Sequence, residues 1–132
     1  MPRKLVGGLI QAAAPMSDPS APIDKIRKAA IDAHIPLIEE AGRKGVQVLG
    51  LQEVFNGPYF CPSQDAYWYD IAEAVPGPTT ALMAQDAKKY QMAMVVPVYE
   101  CDASSYFVDP RGNIIAMGPA DEDELVVPEQ LP

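Results

Sequence analysis

Cysteine is scarce in this chain. Cys61 and Cys101 are the only two among 132 residues, too few for a disulfide framework, and a single bridge cannot be inferred from sequence. Histidine is scarcer: His34 stands alone, and a lone histidine within a helical pattern is more often structural than catalytic, so it is left out of the candidate site. Long apolar runs are missing as well. Leu5-Val6-Gly7-Gly8-Leu9-Ile10 meets Gln11 at once, which is short for the apolar region of a signal peptide, and no stretch approaches a membrane span. Positive charge is in deficit, with 10 basic against 18 acidic side chains and a net charge of −8. That balance argues against nucleic acid or an anionic membrane surface as a partner. No internal repeat is visible, and the one biased run, Asp121-Glu122-Asp123-Glu124, reads as a solvated face. These absences leave a reduced, cytoplasmic protein as the expectation.

What is present is apolar and periodic. At 48% apolar residues the chain is globular and of a length for one domain, residues 1–132. Lys4 to Ala12 reads as a first strand buried on both faces, followed by a loop over Pro15 to Pro22. Ile23, Ile26, Ala30, Ala33, Leu37, Ile38 and Ala41 then recur on one side of a helix, with charged residues opposite. Pro36 is expected to kink this helix near Asp32, and Gly45 to end it. A second buried strand covers Val46 to Leu51. Asp65 to Ala74, with Tyr67, Trp68 and Tyr69, is left undecided between a short helix and irregular structure. Gly77-Pro78-Thr79 opens a second helix whose inward candidates are Leu82, Ala84, Ala87 and Tyr90, and Met92 to Tyr99 gives a third strand. This β-α-β-α-β order over residues 1–100 implies an α/β arrangement with parallel strands. Residues 104–127 differ: two strands flank an Asp109-Pro110-Arg111-Gly112 turn, and Leu125-Val126-Val127 makes a third short one.

The chemistry is concentrated at the end of the second strand. There Gln52 and Glu53 are followed by Asn56-Gly57-Pro58 and the aromatics Tyr59 and Phe60. Ligands of open α/β sheets bind beyond the carboxyl ends of the strands. A carboxylate at that point, with Phe55, Tyr59 and Phe60 as pocket walls, would be partly desolvated and tuned toward general-base work. The plainer alternative is that Glu53 caps the strand or pairs with a nearby Lys or Arg.

The run Leu49-Gly50-Leu51-Gln52-Glu53-Val54-Phe55-Asn56-Gly57-Pro58-Tyr59-Phe60-Cys61 resembles the first catalytic motif of the nitrilase (carbon–nitrogen hydrolase) superfamily, in its β-ureidopropionase and N-carbamoyl amidohydrolase branch. The likeness extends to Gly8-Leu9-Ile10-Gln11-Ala12, Pro76-Gly77-Pro78-Thr79-Thr80 and Val95-Val96-Pro97-Val98-Tyr99-Glu100. The resemblance implies hydrolysis of non-peptide carbon–nitrogen bonds by a Glu base, a Lys and a Cys nucleophile, without metal or organic cofactor. Glu53 stands at the position of the base. The resemblance places the Asp109-Pro110-Arg111-Gly112 hairpin near the far end of a longer chain, so the sequence looks like a family member with its middle missing, joined near Glu100 to Ala103. The family's Lys and Cys belong to that middle. Cys61 matches a non-catalytic position, Cys101 lacks the expected neighbours, and Lys88 and Lys89 fall on the solvent side of a helix.

The fold implied is a partial α-β-β-α sandwich, about one sheet with helices on one face and a C-terminal hairpin. The other sheet face would want a partner: a second copy of the chain first, or a full-length relative, or none, with aggregation as the result. Three functions stay open: a hydrolase of N-carbamoyl amino acids or small amides impaired by its incomplete triad, a non-catalytic subunit that self-associates or docks on a relative, and a product without selected function.

Overall fold

A computed structural model describes residues 4–16, 18, 20–58, 65–99, 106–108, 111 and 114–117. Strand β1 (Gly7–Leu9), helix α1 (Ile23–Arg43), strand β2 (Val48–Gly50), a one-turn helix α2 (Tyr67–Asp70), helix α3 (Pro78–Tyr90) and strand β3 (Ala93–Val95) follow in that order. The three strands lie in the order β1-β2-β3, all parallel. Gly7, Val48 and Ala93 form one row across the sheet, Gly8, Leu49 and Met94 the next, and Leu9, Gly50 and Val95 the third. The expected α/β arrangement is therefore present, as helices joined to a small parallel sheet.

The strands are shorter than the apolar runs that announced them, because side chains take over the pairing at both ends. The Val6 N–H donates to Gln47 Oε1 (3.1 Å) and the Ala12 N–H to Gln52 Oε1 (2.8 Å). The Ile10 N–H still reaches the Gly50 carbonyl (2.9 Å) beyond the end of β1.

Alternation along the strands decides the core. The middle row turns Leu49 and Met94 toward α1 and α3, where Leu49 joins Ile10, Ile38, Ala41, Val46, Leu51, Phe55, Met83 and Met92 in one cluster. The outer rows point the other way, and there Leu9 is 91% exposed and Val95 58%. The expectation that the first strand is buried on both faces is thus corrected: only the helix-side residues, such as Ile10, are buried, since nothing among the described residues covers the opposite face.

Helix α1 runs unbroken through Pro36. Proline has no N–H to give, so the Asp32 carbonyl lacks its usual partner there. Its buried side is Ile26, Ala30, His34, Ile38 and Ala41, with Ala33 and Leu37 displaced to the flanks. His34 occupies the middle of that side. Its Nδ1 lies 2.7 Å from the Ala30 carbonyl, which can only accept, so Nδ1 carries the proton. Gly45 follows the helix with φ of +70°, the left-handed turn expected of a terminating glycine. Where α1 and α3 approach, Gly42 meets Tyr90: a methyl group at Gly42 would stand 2.3 Å from Tyr90 Cδ1, so glycine is required there.

The undecided segment holds α2, with Trp68 and Ile71 buried and Tyr67 and Tyr69 exposed. The tail hairpin is present as antiparallel strands β4 (Tyr106–Val108) and β5 (Ile114–Met117), with an irregularity between Phe107 and Val108. The third tail strand, at Leu125 to Val127, lies outside the described residues.

Candidate active site

Glu53 lies three residues after β2, beyond the carboxyl end of the central strand of the sheet, where the sequence placed it. It begins a turn over residues 53–56, closed by the Gly57 N–H donating to the Val54 carbonyl (3.1 Å). Val54 takes φ of +49°. A β-branched residue enters that region only against steric resistance, so the turn is strained where it leaves Glu53. The reversal sorts the side chains that follow: Glu53 faces solvent while Phe55 and Asn56 swing inward.

This differs from the expected surroundings of the base. Phe55 is 2% exposed and packs edge-on against the His34 ring, with centroids 5.0 Å apart. Its area is committed to the core cluster and not to an open wall. Glu53 is exposed. Tyr59, Phe60, Cys61 and Cys101 lie outside the described residues. Lys88 and Lys89 are exposed on α3, and Lys89 Nζ lies 4.0 Å from Glu39 of α1. Among the described residues no group of three His, Cys, Asp or Glu side chains is arranged to hold a metal ion. No helix among them is long and apolar enough to cross a membrane.

Behind the turn lies a polar network that sequence reading missed. Asn56 Nδ2 donates to Thr79 Oγ1 (3.3 Å), and the Thr79 hydroxyl donates to Glu73 Oε1 (2.8 Å). Glu73 Oε2 accepts the Thr79 N–H (3.2 Å). Arg27 Nε lies 3.3 Å from Glu73 Oε1, and the same guanidinium donates to the Ile71 carbonyl. The Tyr99 N–H points at Asn56 Oδ1 (3.4 Å), and the Tyr99 carbonyl accepts from the Glu73 N–H (2.9 Å). Gly77, just before helix α3, brings no side chain to the helix N-terminus, and the Glu73 carboxylate takes that place. A carboxylate there satisfies an otherwise orphaned N–H and complements the helix dipole. Thr79 in Gly77-Pro78-Thr79 signalled a helix start; nothing in the sequence joined it to Asn56, 23 positions earlier.

Residues 21–104 match the family model described as Carbon-nitrogen hydrolase. The chain belongs to this family. A β-ureidopropionase of Arabidopsis thaliana is 32% identical over 122 residues, an alignment covering 86% of this chain and 30% of the relative. An N-carbamoylputrescine amidase of Solanum lycopersicum is 30% identical over 92 residues, covering 67% of this chain and 28% of the relative. The crystal structure of a carbon–nitrogen hydrolase from Helicobacter pylori G27 superposes with a TM-score of 0.70 at 24% identity, over 86% of this chain and 38% of that one. The last likeness concerns the fold. The chain thus spans about a third or less of the curated relatives it matches.

Proposed function

We propose that this carbon–nitrogen hydrolase-family chain carries the general base of the reaction, Glu53, and does not complete the reaction alone. The substrate class is that of N-carbamoyl amino acids or small amides. The observation that carries the reading is the placement of Glu53: an exposed carboxylate at the carboxyl end of the central parallel strand, in a turn held by buried neighbours. Cleavage of an amide or ureido bond by this route begins with a thiolate attacking the carbonyl carbon. The base takes the thiol proton and returns it to the departing nitrogen, and a cation steadies the oxyanion between the two steps. Water then releases the acyl group from sulfur. Glu53 supplies one of the three parts. The other two belong to a segment that the junction near Glu100 to Ala103 leaves out.

Ammonia release from N-carbamoyl-β-alanine and simple amides tests this. The chain alone is expected to give none. A polypeptide spanning the rest of the family's length, with its Lys and Cys, should restore turnover when added, and Glu53→Gln should then remove it by a factor of about 10²–10⁴. Turnover by the chain alone would overturn the incompleteness. Restored turnover indifferent to Glu53→Gln would overturn the base.

A second reading, a non-catalytic subunit, is favoured by the bare sheet face bearing Leu9, Val48 and Val95, with Leu5 beside them. Contiguous exposed apolar surface of this kind marks contact sites. Its expected occupant is a second copy of the chain. Light scattering after gel filtration decides: a discrete dimer supports self-association, and a well-folded monomer removes it.

A further inference from the structure

The buried polar chain behind Glu53 has no part in the chemistry proposed above. Asn56, Thr79 and Glu73 are all buried, and burying three polar side chains is unfavourable unless each is bonded. All three are, and through Asn56 their chain of bonds reaches the turn that presents Glu53. Asn56 reaches α3 through Thr79 and the segment after β3 through the Tyr99 N–H, so it ties the turn to two other elements. Glu73 and Arg27 anchor the far end of the chain to α1. The turn needs such a hold, because Val54 at φ of +49° would relax if released.

We propose that Asn56 is the positioning residue of the Glu53 turn, holding it in its strained form through Thr79 and the Tyr99 backbone. This rests on the reading of Glu53 as the base for its catalytic meaning, but the hold itself is measurable without turnover. Two amides report separately: Gly57, bonded to the Val54 carbonyl within the turn, and Leu51, bonded to the Val95 carbonyl within the sheet.

Hydrogen exchange on the whole chain, resolved by NMR, provides the test. Asn56→Ala and Thr79→Val should each speed exchange at Gly57 at least about tenfold, with Leu51 unchanged within about twofold. Thr79→Ser keeps the hydroxyl and should restore the wild-type Gly57 rate. An unchanged Gly57 rate, a parallel rise at Gly57 and Leu51, or Thr79→Ser behaving as Thr79→Val would each overturn the proposal. The two readings fail separately. A restored reaction indifferent to Glu53→Gln removes the base and leaves these rates as predicted, whereas unchanged rates remove the hold and leave the base.

Discussion

The two faces of the three-stranded sheet have nearly the same chemistry and opposite fates. Leu49 on one is 1% exposed, packed beneath α1 and α3; Leu9 on the other is 91% exposed. Both belong to apolar strands, and a sequence-based expectation of burial treats them alike. The difference lies in what the chain supplies to cover them. Both crossovers, between β1 and β2 and between β2 and β3, lay a helix on the same side of the sheet, and the short hairpin leaves Leu9 and Val95 bare. Apolar pattern states a demand for burial, and only topology shows whether it is met.

The sharpest test of this contrast is a pair of truncations. Leu49→Ala should destabilise the fold by about 2–5 kcal/mol, as truncations of buried leucine do. Leu9→Ala should change monomer stability by no more than about 0.5 kcal/mol. Urea melts of both variants check it, and equal losses would mean that the bare face is covered in solution. If the face joins two copies, Leu9→Ser should shift light scattering from dimer to monomer while the melt of the monomer stays put.

On the sealed side, the polar network should prove next most sensitive. Glu73→Gln leaves the Arg27 guanidinium poorly paired and weakens the start of α3. Removing one member of a buried pair is strongly destabilising, and with Arg27 partly solvated a loss of about 2 kcal/mol is expected from the same melts. Gly42→Ala should cost about 1–2 kcal/mol by driving a methyl group into the Tyr90 ring, a loss that Tyr90→Ala in the same chain should partly relieve.

The smallest effect is electrostatic. Burial raises the Asp86 carboxyl above its ordinary range, against the opposing pull of Lys89 and with the help of Glu39, and its Oδ2 is buried without a hydrogen-bond partner. The folded state therefore holds the proton more tightly than the unfolded chain, so this group favours folding as pH falls through its raised range and opposes it at neutral pH. Asp86→Asn should stabilise the fold at neutral pH by no more than about 0.5 kcal/mol. The gain should fade as pH drops and the native carboxyl becomes neutral. A gain independent of pH would assign the effect to packing.

Much of the architecture was legible because it depends on local signals. The strand at Val46 to Leu51, the helix ended by Gly45, the helix opened at Gly77-Pro78-Thr79 and the hairpin around Asp109 to Gly112 each carry their own periodicity or turn residue. Glu53 was legible as a position, the first carboxylate after the central strand, supported by the family resemblance. What escaped was tertiary. His34 takes the centre of the α1 stripe in place of Ala33 or Leu37, because its ring packs against Phe55 and its Nδ1 finds the Ala30 carbonyl within its own helix. Phe55 went to the core and not to a pocket wall because Val54 reverses the chain, and no sequence rule places a valine at positive φ. Asn56 looked like an ordinary loop former, since its partners lie 23 and 43 positions away.

The order of the strands has a consequence for synthesis. Each strand of the sheet after the first pairs with the one made before it, with no strand inserted between neighbours. A chain emerging from the ribosome can thus lay β2 against β1 once α1 is out, and add β3 once α3 follows, never waiting for a later segment to complete an earlier pairing. Chains grow at about 5–20 residues per second, while a helix of this size relaxes within about a microsecond. The turn that carries Glu53 waits longer. Asn56 has no partner until Thr79 has been made, and its second hold comes only with Tyr99, so the loop that presents the carboxylate is fixed after the strand that carries it.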